Sequence, residues 1–189
     1  TGADSMTASS GDDTFIGGAG ADVFIVTDQG FNGFKLFTGG DGTDVVKMSA
    51  AGAAYEAIVD NDFAGSTFET ITISENKVVA ITLDDKADTA TANGLLITGA
   101  TGATNTVTAE ADYDNDITIT GSTGIDTIDF SLSSSNLTFN DTATANTHAA
   151  DVITLGTGTN VITFGSAAAT ASTVTMSTGT DNITFSTAT

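Results

Sequence analysis

The chain contains no cysteine, no proline, no tryptophan and no arginine. Without cysteine there is neither a disulfide nor a thiolate metal site. Basic groups are almost missing: four lysines stand against 24 acidic residues, for a formal charge of −20. Phosphate backbones need a basic footprint, so nucleic acid is excluded as a partner. Long apolar runs are missing too; the longest are about four residues, such as "VFIV" at 23–26, too short to cross a bilayer. No membrane insertion is expected, and no signal peptide is visible. His148 is the single histidine, and without neighbours of ligand or triad type it reads as an exposed loop residue. No G-x-S-x-G elbow and no phosphate loop ending in Gly-Lys occurs. A pair of catalytic carboxylates on a β-helix face is the remaining enzymatic option. The second half offers it no basic residue and a single tyrosine, Tyr113, to hold a sugar. The chain is therefore expected not to be an enzyme.

What is present is a hydrophobic fraction of 40% over 189 residues, too much for a disordered acidic tail. A foldable chain with this charge calls for bound cations to relieve self-repulsion. The first 25 residues, set in rows of nine, align in columns. Gly2, Gly11 and Gly20 share one; Asp4, Asp13 and Asp22 share another; Met6, Phe15 and Phe24 share a third. The third row, "GGAGADVFI" at 17–25, has the form G-G-x-G-x-D-x-U-x, and "GGDGTDVVK" at 39–47 repeats it. Glycines allow a tight turn that leaves carbonyls open to a ligand, and aspartate adds a charged oxygen. Calcium takes six to eight such oxygens at about 2.3–2.6 Å. The x-U-x that follows is a short strand with its middle side chain inward. Two turn-strand units make one coil, which stacks Asp4 on Asp22 and leaves Asp13 on the opposite side. A longer turn at 27–33 and the strand "FKLF" at 34–37 return Asp44 to the side of Asp22.

Residues 50–70 break the pattern, with room for one helical turn or an irregular excursion, and read as a loop. "ETITIS" (69–74), "KVVAITL" (77–83) and "GLLITG" (94–99) have strand composition and period-two alternation. From about residue 100 the repeat returns in a weaker form: a polar turn, an Asp or Asn, then alternating apolar residues and threonine. Its copies are "TNTVTA" (104–109), "NDITIT" (115–120), "GIDTIDF" (124–130), "SNLTF" (135–139), "ADVITL" (150–155), "TNVITF" (159–164), "STVTM" (172–176) and "TDNITF" (180–185). Asn105 and Asp126, and likewise Asn160 and Asp181, are 21 residues apart, close to one coil of two strands. Asn often replaces Asp here, and its amide can ladder between coils without an ion. These coils are expected to be mostly metal-free. "DYDND" at 112–116 imitates the start of an EF-hand, but Ile117 and Thr123 stand where that loop needs glycine and glutamate. It and "DND" at 60–62 read as solvated acidic turns. Sequons occur at Asn136, Asn140 and Asn182.

The motifs "SSGDDTFIGGAGADVFIV" and "FTGGDGTDVVKMS" resemble the RTX class of secreted bacterial proteins, whose nonapeptide is a known calcium-binding β-helix repeat. The order of parts, with "FETITIS" after a spacer, is similar to that of crystalline surface-layer (S-layer) proteins. The resemblance implies an all-β fold: a right-handed parallel β-roll or β-helix with calcium-binding glycine-aspartate turns. It also implies type I secretion, folding outside the cell in calcium, and a place on the cell surface. The expected calcium residues are Asp4, Asp13, Asp22 and Asp44, with turn positions Gly18, Gly20, Gly40 and Gly42. Asp28 is a substitute ligand beside Asp13, and Asp126 a further one in the later coils. Three stretches are expected: an RTX roll at 1–49, a spacer loop with continuing strands at 50–99, and a degenerate-repeat β-helix at 100–189. The expected function is structural, a calcium-stabilised segment of an S-layer or extracellular lattice, with other copies of itself as partners in a lattice or filament. An RTX adhesin stalk and a carbohydrate-active β-helix enzyme are the alternatives. The sequence reads as a piece of a longer chain or a processed product.

Overall fold

A computed structural model describes residues 2–8, 12–26, 36–49, 56–73, 78–99, 104–141, 149–165 and 172–186. The strands begin as β1 (Ser5–Ala8), β2 (Thr14–Ala19), β3 (Val23–Val26), β4 (Leu36–Asp41), β5 (Val45–Met48), β6 (Glu56–Ile58), β7 (Thr70–Ile73), β8 (Val78–Leu83) and β9 (Leu95–Thr98). They continue as β10 (Thr104–Ala109), β11 (Ile117–Thr120), β12 (Thr127–Asp129), β13 (Leu137–Asn140), β14 (Val152–Thr154), β15 (Thr159–Phe164), β16 (Thr173–Thr175) and β17 (Thr180–Phe185). A 3-10 turn at Asp60–Phe63 and one short helix, α1 (Asp85–Ala90), interrupt them.

Every odd-numbered strand joins one nine-stranded sheet, in chain order. On the other side β2 pairs with β4, and β6 to β16 form a six-stranded sheet. All the pairings are parallel. One strand per side per coil is a β-solenoid, as the strand periodicity predicts. Alternation sets the inside: Phe24 and Val26 of β3, Val46 and Met48 of β5, and Ile117 and Ile119 of β11 all point into a single continuous core. The positions between them, Ile25, Lys47 and Thr118, face outward, and in the later strands threonine takes such places, where β-branching suits a pleated surface. Ring stacks reinforce the axis, with Phe15 over Phe37 at 5.9 Å and Phe164 over Phe185 at 5.3 Å.

The connections that lead into the nine-stranded sheet vary in size. They are tight at 20–22, 42–44, 155–158 and 176–179, and wide at 59–69, 84–94, 110–116 and 130–136. The wide ones carry their own buried side chains: Phe63 and Phe68, Ala87 and Ala90, Tyr113, and Phe130.

One expectation is corrected here, and one element is added. The stretch 50–70 is not simply a loop, because it holds β6, the 3-10 turn and a bridge from Thr67 to Thr38 of β4. Phe63 and Phe68, 5.9 Å apart and fully buried, fix it to the core; apolar burial prevails where periodicity is weak. Helix α1 is absent from the strand pattern because its N-terminus is capped from the preceding coil. Asp60 Oδ1 accepts the amides of Asp84 (3.2 Å), Lys86 (3.1 Å) and Ala87 (2.9 Å). The turn at 27–33, with Asp28, and the residue His148 lie outside the described residues.

Candidate metal centre

Parallel register places one residue from each coil in a column at the corner where the chain enters the nine-stranded sheet. The column runs Asp4, Asp22, Asp44, Glu69, Leu95, Ile117, Leu137, Asn160, Asp181. Its polar rungs share one hydrogen-bond rule: an amide donates to the side-chain oxygen one coil on. Asp4 N donates to Asp22 Oδ1 (2.7 Å), Asp22 N to Asp44 Oδ1 (2.9 Å), and Asp44 N to Glu69 Oε2 (2.7 Å). Leu137 N donates to Asn160 Oδ1 (3.3 Å) in the same way. The coils lengthen along the acidic part, from 18 to 22 to 25 residues, yet each keeps its carboxylate on the column.

Asp22 and Asp44 are 0% exposed, and the second oxygen of each, Oδ2, has no hydrogen-bond partner. A buried carboxylate oxygen left bare costs several kcal/mol by order of magnitude. The surrounding turns are shaped for a ligand. A Cβ on Gly17 would overlap Asp22 Oδ2, and a Cβ on Gly39 would overlap Asp44 Oδ2. Gly18 and Gly40 have φ of 103° and 106°, and a Cβ on Gly40 would run into the Gly18 carbonyl. Bare carboxylate oxygens, carbonyls at close approach and no side chains between them are the donor set of a hard divalent cation. The residues present fit calcium.

Seven of the ten residues expected to be sites form this corner: Asp4, Asp22 and Asp44 on the column, and Gly18, Gly20, Gly40 and Gly42 in the segments that lead into it. Asp13 precedes β2 on the opposite side, where its carbonyl accepts Leu36 N at 2.9 Å. Asp126 is not brought to them. It leads into β12 across the solenoid, and protein donors already meet its carboxylate. Oδ1 accepts Asn105 Nδ2 (2.7 Å), Asn105 N (3.2 Å) and Ser122 Oγ (3.1 Å), and Oδ2 accepts Ser122 N (2.8 Å). Burial pushes its carboxyl above the usual range, against these bonds.

Sequence spacing did not reveal Glu69, because its connection keeps one glycine, Gly65, of the motif's three. The ladder expected of asparagine is present at Asn160, but spacing did not reveal its added bonds to its own turn. Asn160 Nδ2 donates to Gly156 O (3.1 Å), Gly158 O (3.3 Å) and Asp181 Oδ1 (2.8 Å). The acidic turns outside the column are held by protein groups. Asp60 caps α1 and meets Lys86 Nζ at 3.2 Å, as does Asp85, so two of the three carboxylates gathered from Asp60, Asp84 and Asp85 share a cation of the chain itself. In "DYDND" the amides of Asp114 and Asn115 both donate to Asp88 Oδ1 at 3.0 Å, and Tyr113 is buried with its hydroxyl 3.3 Å from Thr91 Oγ1.

Residues 1–26 match the family model of the RTX calcium-binding nonapeptide repeat (4 copies). Among curated proteins and among solved structures, no match to the chain is found.

Proposed function

Because the chain is an RTX-type repeat protein with calcium-binding repeats, we propose that it is a structural, non-catalytic segment of a bacterial surface layer or similar extracellular lattice. The observation that carries this reading is the pair of buried, partnerless oxygens, Asp22 Oδ2 and Asp44 Oδ2, on consecutive coils. Asp22 and Asp44, with the turn carbonyls around Gly18, Gly20, Gly40 and Gly42, would hold the calcium. Calcium supplies the positive charge that lets stacked carboxylates close on one another. The chain's own part is to bring those oxygens into register and to exclude side chains from the gap. Asp13 and Asp28 would serve the opposite corner, while Asp126 belongs to a ladder that needs no ion. The division into a calcium roll at 1–49, a spacer at 50–99 and an ion-independent β-helix at 100–189 follows the same logic.

Lattice contact would run through the acidic faces that a formal charge of −20 gives the chain. The acidic faces repel one another unless a divalent cation lies between them. Circular dichroism and calorimetry in EGTA and in millimolar calcium test the calcium part. Strand signal should rise with calcium and heat of binding should appear; an unchanged spectrum with no heat would reject it. Electron microscopy of the same samples tests the lattice part. Sheets or filaments that dissolve in EGTA are expected, and a strictly monomeric chain in calcium would favour an adhesin stalk instead.

A further inference from the structure

We propose that Glu69 is a metal ligand, closing a second calcium site at Asp44 that lies beyond the residues matching the repeat. The proposal rests on the calcium reading of the first turns. Its template is internal to the chain. At rung 160 the amide nitrogen of Asn160, a donor with partial positive charge, is surrounded by three oxygens: Gly156 O and Gly158 O of its own turn, and Asp181 Oδ1 of the next rung. Rung 44 has the same glycine spacing on a different turn backbone, with Gly40 and Gly42 at φ of 106° and 141°. Gly40 and Gly42 stand four and two residues before Asp44, as Gly156 and Gly158 do before Asn160. Glu69 stands one rung on, as Asp181 does. Asp44 has a carboxylate where Asn160 has its amide, so its Oδ2 can donate nothing to the oxygens around it. It is left fully buried and without a partner. A cation in the place of the amide nitrogen would satisfy Asp44 Oδ2, the turn carbonyls and the next carboxylate together. By this layout Asp22 with Asp44 makes one site and Asp44 with Glu69 makes a second.

Glu69 is already held for the task, because Asp44 N donates to its Oε2 at 2.7 Å. Its longer stem suits the wide connection that precedes it. A surface cavity of about 620 Å³ is lined by Gly42, Thr43, Glu69 and Thr70, so solvent reaches Glu69 on the outer side of buried Asp44. The column turns aliphatic at the next rung, Leu95, so Glu69 is the last carboxylate able to serve.

Calcium titration of the whole chain by calorimetry, with native mass spectrometry to count ions, tests the assignment on Glu69→Gln and Glu69→Asp. Gln keeps an oxygen to accept from Asp44 N but loses the charge. Asp keeps the charge on a shorter stem. Expected for Glu69→Gln is one ion fewer than wild type, or one site weakened at least tenfold, with the other site unchanged; Glu69→Asp retains the full count. A Glu69→Gln protein that binds as wild type overturns the proposal. So does a Glu69→Asp protein that loses more binding than Glu69→Gln, since that is the mark of a purely structural hydrogen bond. Should Glu69→Gln fail to fold, Glu69→Ala decides by the same titration: one ion fewer than wild type supports the proposal, and the full count with every site unweakened overturns it. Wild type that binds no calcium at all refutes the underlying calcium reading instead.

Discussion

Asn160→Asp should make the C-terminal coils depend on calcium. Asn160 is 0% exposed, and its Nδ2 serves Gly156 O, Gly158 O and Asp181 Oδ1 at 3.1, 3.3 and 2.8 Å. Aspartate would point a fourth oxygen at these three, one of them a carboxylate. An uncompensated buried charge of this kind costs about 3–5 kcal/mol. In a domain of this size each kcal/mol lowers the melting temperature by roughly 2–4 °C, so the loss in EGTA should be roughly 6–20 °C. Four oxygens around an empty centre are also the makings of a calcium site. At a thousand times its dissociation constant calcium would restore about 4 kcal/mol. Thermal melts of wild type and variant, each in EGTA and in excess calcium and followed by far-ultraviolet circular dichroism, measure both effects. If the variant melts with wild type in EGTA, or if saturating calcium restores none of its loss, the equivalence between the Asn160 amide and a bound cation is refuted.

Gly40→Ala should weaken calcium binding by at least tenfold and lower stability in calcium by about 1–3 kcal/mol, since φ of 106° strains alanine and its Cβ overlaps Gly18 O. Calorimetry and chemical denaturation in calcium check it. Tyr113, whose burial pushes its phenol from 10.0 up to about 12, contributes stability that is complete below pH 10. This stability is lost as pH rises towards 12, in all roughly 2–3 kcal/mol. Alkaline denaturation should therefore be milder in Tyr113→Phe, which removes that titration; equal pH profiles would contradict it.

The legible parts of this chain are those where spacing alone fixes position. Asp4 and Asp22 differ by one coil of the nonapeptide, and Asn105–Asp126 and Asn160–Asp181 by one coil of the later repeat; all three pairs stack. Asp44 could be placed because the glycine spelling at 39–47 survives a longer turn. Glu69 could not, since "AGSTFE" at 64–69 keeps neither the glycine pair nor an aspartate. Its place is set by Phe63 and Phe68 anchoring a wide connection, a tertiary effect without a local signature. Helix α1 was hidden for a similar reason. Asp84 stands at its N-cap without a side-chain capping bond, and the carboxylate that does cap it, Asp60, comes from 24 to 27 residues away. Asp126 resembled a ligand by its place in the repeat, and only its contacts with Ser122 and Asn105 reveal that protein donors surround it.

Leu95, Ile117 and Leu137, the aliphatic rungs in mid-column, are all buried. Coils meeting through such rungs close by apolar contact alone. In a solenoid each coil touches only its neighbours, so order can start in one place and spread outwards. Growth from this stem towards the N-terminus meets Glu69, Asp44, Asp22 and Asp4 in succession, and there each new coil sets a carboxylate above the last. If the acidic rungs hold calcium as proposed, a chain in calcium-poor water carries a finished stem and an open fringe. Passage into calcium-rich water closes the fringe one coil at a time, so the ion sets how far the zipper runs rather than whether it starts.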